Sequence, residues 1–150
     1  MKTLFDQDAA DEMKARLARL GPDSERQWGT MSAAQAVAHM NGGFALAFGE
    51  LRPSRKFVGR ILGPIIKPLA FKDDAPMRKN SPTVDEMVVR SEPNLEAERV
   101  RLRGMIDRFV AGGPAACTSH PHSFFGPLTP TEWAILMYKH VDHHLRQFGV

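Results

Sequence analysis

The stretch TPTEWAILMYKHVDHHLRQFGV, residues 129–150, constrains the fold more than any other part of the chain. Thr129 is a good N-cap, Pro130 takes the first helical position and Glu132 follows the cap by three residues, which together make a capping box. Beyond it Trp133, Leu136, Met137, His140, Val141, His144 and Phe148 recur at steps of three and four and so share one face of a helix. That face is stable only when other helices cover it, so the segment demands helical partners and carries His140 and His144 inward with it. His143 falls toward the flank of the same face, and Asp142 is expected to face away as surface charge.

The partners are legible upstream. A first helix is expected over about Asp6–Leu20, with acidic residues early, Lys14, Arg16 and Arg19 late, Gly21-Pro22 as its stop and Phe5, Met13, Leu17 and Leu20 turned inward. A second starts at the N-cap Ser32 and runs through AAQAVAHMNGGFALAF, where only Gln35, His39 and Asn41 interrupt small or apolar side chains. Such a helix is buried on most sides, and Gly42-Gly43 in its middle implies close approach of a neighbour or a bend. A third long helix over about Asn94–Ala111 carries Leu95, Val100, Leu102, Met105, Ile106 and Phe109 on its inward stripe and stops at Gly112-Gly113-Pro114. No stretch alternates with period two. The expected fold class is all-α: a four-helix bundle, residues 1–150 in a single domain, with a long crossover between helices 2 and 3.

That crossover, Leu51–Asn80, is punctuated by Pro53, Pro64, Pro68 and Pro76 and holds eight Lys or Arg against two Asp. Its apolar part, FVGRILGPIIKPLAF, is too short for a membrane span and is interrupted by Arg60 and Lys67; a short helix laid across the body is expected. The alternatives are a docking helix for a membrane surface, a partner or a dimer contact, and a nucleic-acid or anionic-membrane reading of its basic residues would depend on Arg55 and Lys56. The net charge of +3 is too small by itself to imply nucleic acid, and none is expected as a partner. The opening MKTLFDQDAADEMKARL has no apolar run behind its lysine and reads as a charged helix, which makes a cytoplasmic location the expectation. Cys117 is the sole cysteine and is expected to be a structural thiol.

The histidines raise the chemical question. His140 and His144 are four apart, so their Cβ atoms lie roughly 5–6 Å from one another on a helix and two imidazoles can converge on one ion. Equally, they could be core histidines satisfied by hydrogen bonds, since a buried polar group without a partner costs about 1–3 kcal/mol. His39 is the only histidine on the apolar second helix, and a bundle can bring that helix against the fourth. Three imidazoles from two helices make the donor set of an open metal site, with positions left for water or substrate. Gln35, one turn before His39, could orient that ring or be an exposed amide.

WGTMSAAQAVAHM and KHVDHHLRQ together resemble the DinB/YfiT-like superfamily of metal-dependent enzymes, four-helix bundles with one ligand histidine on the second helix and a His-x-x-x-His pair on the fourth. The superfamily often ends His-x-x-His-His-Arg-Gly-Gln, where this chain reads HVDHHLRQ, and HPHSFFGPLTPTEW with HHLRQFGV looks closer still to an uncharacterised branch known mainly as a domain of unknown function. The resemblance covers nearly the whole chain and implies His39, His140 and His144 as ligands to a divalent ion such as zinc, nickel or iron. It also implies a small-molecule substrate, a low-molecular-weight thiol among the candidates, because characterised relatives include thiol-dependent transferases and isomerases. Proton-shuttle candidates are His143 beside the ligands and His122 or His120 in HPHSFFG, a loop that could arch over the metal; the plainer role for His120 and His122 is solvated or capping. The expected activity is a divalent-metal-dependent hydrolase or thiol transferase, and the rival is a non-catalytic metal-binding or stress-response module.

Overall fold

A computed structural model describes residues 1–150 as five α-helices without a strand. They are α1 (Gln7–Arg19), α2 (Ala33–Ala47), α3 (Phe57–Ala70), α4 (Leu95–Gly112) and α5 (Pro130–Gln147), with single 3₁₀ turns at Asp85–Met87 and Gly113–Ala116. Four of the helices start and stop within a residue or two of their expected ends, because capping chemistry sets those ends locally. Ser32 Oγ accepts from Gln35 N at 3.1 Å while Gln35 Oε1 accepts from Ser32 N at 3.0 Å. Thr129 and Glu132 repeat the pattern at the head of α5, and Asn94 Oδ1 accepts from Ala97 N at 2.9 Å at the head of α4.

α2 packs against both α4 and α5, and α1 packs against the same two helices. Between them lies a cluster of 23 buried apolar residues, in which Phe44 and Phe109 meet edge to face with centroids 5.7 Å apart and Trp133 is fully covered. Two expectations about faces need correction. Val100 is 63 % exposed, since it stands two residues, about 200° of helix, from Leu102 and so lies opposite the buried Leu102, Ile106 and Phe109. α5 is covered on all sides rather than on one: fourteen of its eighteen residues are buried. Two of its charged side chains are accordingly paired. Lys139 Nζ donates to Ala70 O at 2.8 Å, and Asp142, expected at the surface, accepts from Arg16 Nη1 at 2.7 Å and from Arg146 Nε at 2.8 Å.

The connection between α2 and α4 holds a fourteen-residue helix, α3, on the apolar stretch where a short helix is expected. It passes through Pro64 and Pro68, each of which removes an intrahelical N–H, and both prolines are exposed, where water can serve the freed carbonyls. Only Gly59 and Gly63 of α3 are buried. A Cβ on Gly59 would lie 2.7 Å from Phe124 Cα, and one on Gly63 would strike Phe124 O, so the helix lies backbone to backbone on the loop that precedes α5.

This seam predicts opposite outcomes for two glycines. Gly63→Ala should release α3, seen as faster proteolysis within 57–70 and a lower urea midpoint, because the obstacle is backbone that cannot rotate away. Gly104→Ala, in α4 with nothing within 4 Å, should raise stability by about 0.5–1 kcal/mol, the cost of a helical glycine. A destabilised Gly104→Ala together with an unaffected Gly63→Ala would contradict the packing described.

Candidate metal centre

His39 projects from α2 and His140 and His144 from α5, and the small side chains of α2 are what let the two helices close. Gly43, one turn beyond His39, marks the tightest point: a Cβ there would lie 2.6 Å from His140 Nδ1. This is the close approach that Gly42-Gly43 implied; a Cβ on Gly42 would meet only Met87, at 3.6 Å. Ring centroids are 5.0 Å apart for His39–His140 and 4.9 Å for both His39–His144 and His140–His144, every pair edge to face. All three residues are less than a tenth exposed, and one ring nitrogen from each lies within 4.8 Å of the others. Three nitrogens bound to one tetrahedral zinc at about 2.0–2.1 Å stand roughly 3.3 Å apart, so the rings need to draw in by only about an ångström or so.

The hydrogen bonds around the cluster select the tautomers. His39 Nδ1 lies 3.0 Å from Met87 O, and a carbonyl can only accept, so Nδ1 carries the proton. His144 Nδ1 lies 2.8 Å from Gln147 Oε1, and that amide is oriented because Gln147 Nε2 donates to Trp28 O at 2.9 Å. Both rings are thus left with an Nε2 lone pair and no protein donor to meet it. Neither ring nitrogen of His140 has a hydrogen-bond partner, and its Nδ1 faces Gly43. No hydrogen bond joins the three rings to one another. Water or a cation must complete them, and three neutral imidazoles are a donor set that could hold a metal ion.

Electrostatics keeps them neutral. Burial lowers the His39 pKa against the opposing effect of the Met87 carbonyl. Burial, followed by the His144, His39, His143 and His122 rings, holds His140 well below its usual value. Burial and then His39 bring His144 down to about 3. Lone pairs are therefore available at neutral pH without proton loss.

The remaining candidates are distributed around this cluster. His143 stands beside it, its ring 4.9 Å from that of His144 and 5.5 Å from that of Trp28, on the wall of a cavity of about 250 Å³ that Pro76, Met77, Lys79 and Arg146 also line. Burial lowers its pKa as well. His122 Nδ1 accepts from the backbone N–H of Phe124 at 3.1 Å and of Phe125 at 3.2 Å, the capping role, so its proton sits on Nε2. Burial brings His122 down to about 4. His120 is half-buried, and its ring has neither a hydrogen bond nor a place in the cluster. Gln35 does not orient His39; its side chain closes the α2 capping box and donates to Ser91 O at 3.0 Å. Burial pushes the Cys117 thiol up to about 11, which suits a structural thiol. Sequence reasoning missed the Met87 carbonyl and Gln147. Gln147 had a signal, since it stands three residues beyond His144 on the same face; the carbonyl, 48 residues from His39, had none.

Across residues 2–149 the chain matches the family model described as "Protein of unknown function (DUF1569)". No curated protein and no solved structure matches it.

The depressed pKa values predict how stability follows pH. The unfolded chain takes up protons near the usual value of 6.5, while folded His144 resists protonation until about 3. The stability these rings contribute is therefore full above about pH 6.5 and is lost progressively as pH falls toward the folded values. In chelator, the urea midpoint should drop between about pH 7.5 and pH 5, above the usual carboxylate range. A flat profile over that interval would contradict the neutral, buried cluster.

Proposed function

This chain belongs to the DUF1569 family, and we propose that it is a small metalloenzyme that binds one divalent cation, zinc, nickel or iron, through His39, His140 and His144. The reaction class is hydrolase or thiol transferase, and the substrate is a small molecule. The proposal includes the finer fold reading: a single domain of residues 1–150 and a four-helix bundle of α1, α2, α4 and α5, with α3 in the crossover, akin to the DinB/YfiT-like superfamily and cytoplasmic. The ring of contacts in which α1 and α2 each meet α4 and α5 supports that kinship, as does the origin of the three histidines on α2 and α5. The observation that carries the functional reading is the pair of locked tautomers. Met87 O and Gln147 Oε1 hold protons on Nδ1 of His39 and His144 and so leave Nε2 lone pairs inside the cluster, as the hydrogen-bond acceptors behind a metal-binding imidazole do.

A bound divalent ion would lower the pKa of a coordinated water, polarise a substrate oxygen or stabilise a thiolate. His143 is the proton carrier in this reading: it is neutral at pH 7, adjoins His144, and lines the cavity from which a substrate would come. His122 can contribute an Nε2–H donor, since its other nitrogen is held by two backbone amides. Lys79, whose ammonium lies 4.2 Å from the centre of the Trp28 ring, and Arg146 place positive charge on the same cavity, which favours a substrate with a carboxylate or another anionic group. A low-molecular-weight thiol bearing carboxylates has that charge. Cys117, protonated at neutral pH, is not the nucleophile.

A second reading, a metal-holding or stress-response module without turnover, is favoured by one observation: none of the three proposed ligands lines that cavity.

Elemental analysis of protein purified without an affinity tag should give one divalent ion per chain for the wild type and much less for His144→Ala. Gln147→Ala should weaken zinc affinity by about 10–100-fold, as loss of a supporting partner does. Equal metal content in wild type and His144→Ala would remove the site. With metal bound, hydrolysis or thiol transfer across a panel of anionic substrates should fall sharply in His143→Ala at unchanged metal content. Absence of turnover with every metal would leave the module reading.

A further inference from the structure

The crossover helix is inside out. The chain has ten exposed large apolar residues, and seven of them lie on α3. Phe57 is 75 % exposed, Ile61 54 %, Ile65 65 % and Leu69 58 %, a row at steps of four, and Val58 and Leu62 stand beside it at 57 % and 40 %. At 100° per residue these positions fill one continuous half of the helix, whereas Gly59 and Gly63 form the opposite seam against Phe124.

The exposure does not arise from a detached helix. Lys56 N donates to Ser123 O at 3.1 Å, Lys67 Nζ donates to Pro127 O at 2.7 Å and pairs with Glu132 at 2.9 Å, and Lys139 Nζ holds Ala70 O at the far end. The helix is fastened to the body by its smallest residues and presents its largest ones outward, the reverse of a helix that serves a core.

We infer that α3 is a docking surface for an anionic lipid bilayer, on which it lies in the plane of the headgroups with its apolar half immersed. Charge selects this occupant. The helix contains no acidic residue; Lys67 is engaged by Pro127 O and Glu132, but Arg60 stands beside the edge of the apolar half, where phosphate and carboxylate headgroups would meet it. Arg60 has no ion pair, and Lys56 just before the helix and Lys72 just after it reach carboxylates only at 3.8 Å and 3.9 Å. A second copy seated on the same face would bring these cations against themselves with no carboxylate on either helix to answer. Nucleic acid would call for cations at the centre of the surface, which here is apolar. The contact is peripheral, as no helix of the chain is long and apolar enough to cross a membrane.

The test is flotation of the full chain with vesicles of phosphatidylcholine alone and with about 30 % phosphatidylserine. The wild type should float with the anionic vesicles and hardly with the neutral ones, and added salt should weaken binding. Ile61→Ser/Ile65→Ser/Leu69→Ser should lower binding by about tenfold or more, since it removes the immersed side chains. Because those residues are exposed, helix content and zinc uptake should not change, which separates this outcome from failure of the metal site. Arg60→Glu alone should reduce binding to anionic vesicles and remove most of its salt dependence. The inference is overturned if the wild type floats with neither vesicle or if the triple variant binds as the wild type does. It is also overturned if the wild type is a dimer that the triple variant dissolves without either binding lipid, or if the chain instead retains DNA and only charge reversal abolishes that.

Discussion

Three imidazoles share one buried pocket, and the surrounding structure is arranged to position them. A buried ring nitrogen is stable only with a partner, and His39, His140 and His144 bring one nitrogen each to within 4.8 Å of the others. Two of the rings find partners in Met87 O and Gln147 Oε1. The 3₁₀ turn at Asp85–Met87, otherwise an incidental bend in a long connection, acquires a purpose as the element that turns a carbonyl toward His39. Gln147 relays the constraint further, since its amide is oriented by the Trp28 carbonyl. Gly43 gives His140 the room to enter at all.

The same arrangement accounts for the burial of α5. A helix that exposed its outer side would let water reach the cluster from that flank, whereas here α1 supplies Arg16 to Asp142 and the end of α3 supplies a carbonyl to Lys139. The charged residues of α5 are compatible with this covering because each has a partner of opposite sign or a free carbonyl. Solvent is admitted next to His143 instead, through a cavity whose walls carry Lys79 and Arg146. Proton traffic and negative charge can thus come to within one side chain of the cluster without flooding it.

Features governed by local chemistry were readable from residue order. Caps at Ser32 and Thr129 set helix starts, Gly21-Pro22 and Gly112-Gly113-Pro114 set stops, and the spacing of His140 and His144 put both rings inward. Features that depend on distant segments were not. Asp142 looks like surface charge in any reading of α5 alone, and only the packing of α1 makes it a buried ion-pair partner. Val100 lies amid apolar residues in the sequence but out of phase with them in space. Gln35 stood at the right spacing to serve His39 but was claimed by the cap of its own helix, the nearer partner. The inverted polarity of α3 was hidden because glycine carries no hydropathy signal, so its contact face looked like gaps between apolar residues.

The proposed metal centre turns on which nitrogen of each ring bears the proton, and long-range proton–nitrogen NMR of the imidazoles reads that directly. In metal-free protein at neutral pH, His39 and His144 should appear as neutral Nδ1–H rings. On addition of one equivalent of zinc, Nε2 of those two rings and one nitrogen of His140 should shift together while His120 stays in place. Nε2–H or doubly protonated rings at His39 and His144, or three rings indifferent to zinc, would contradict it.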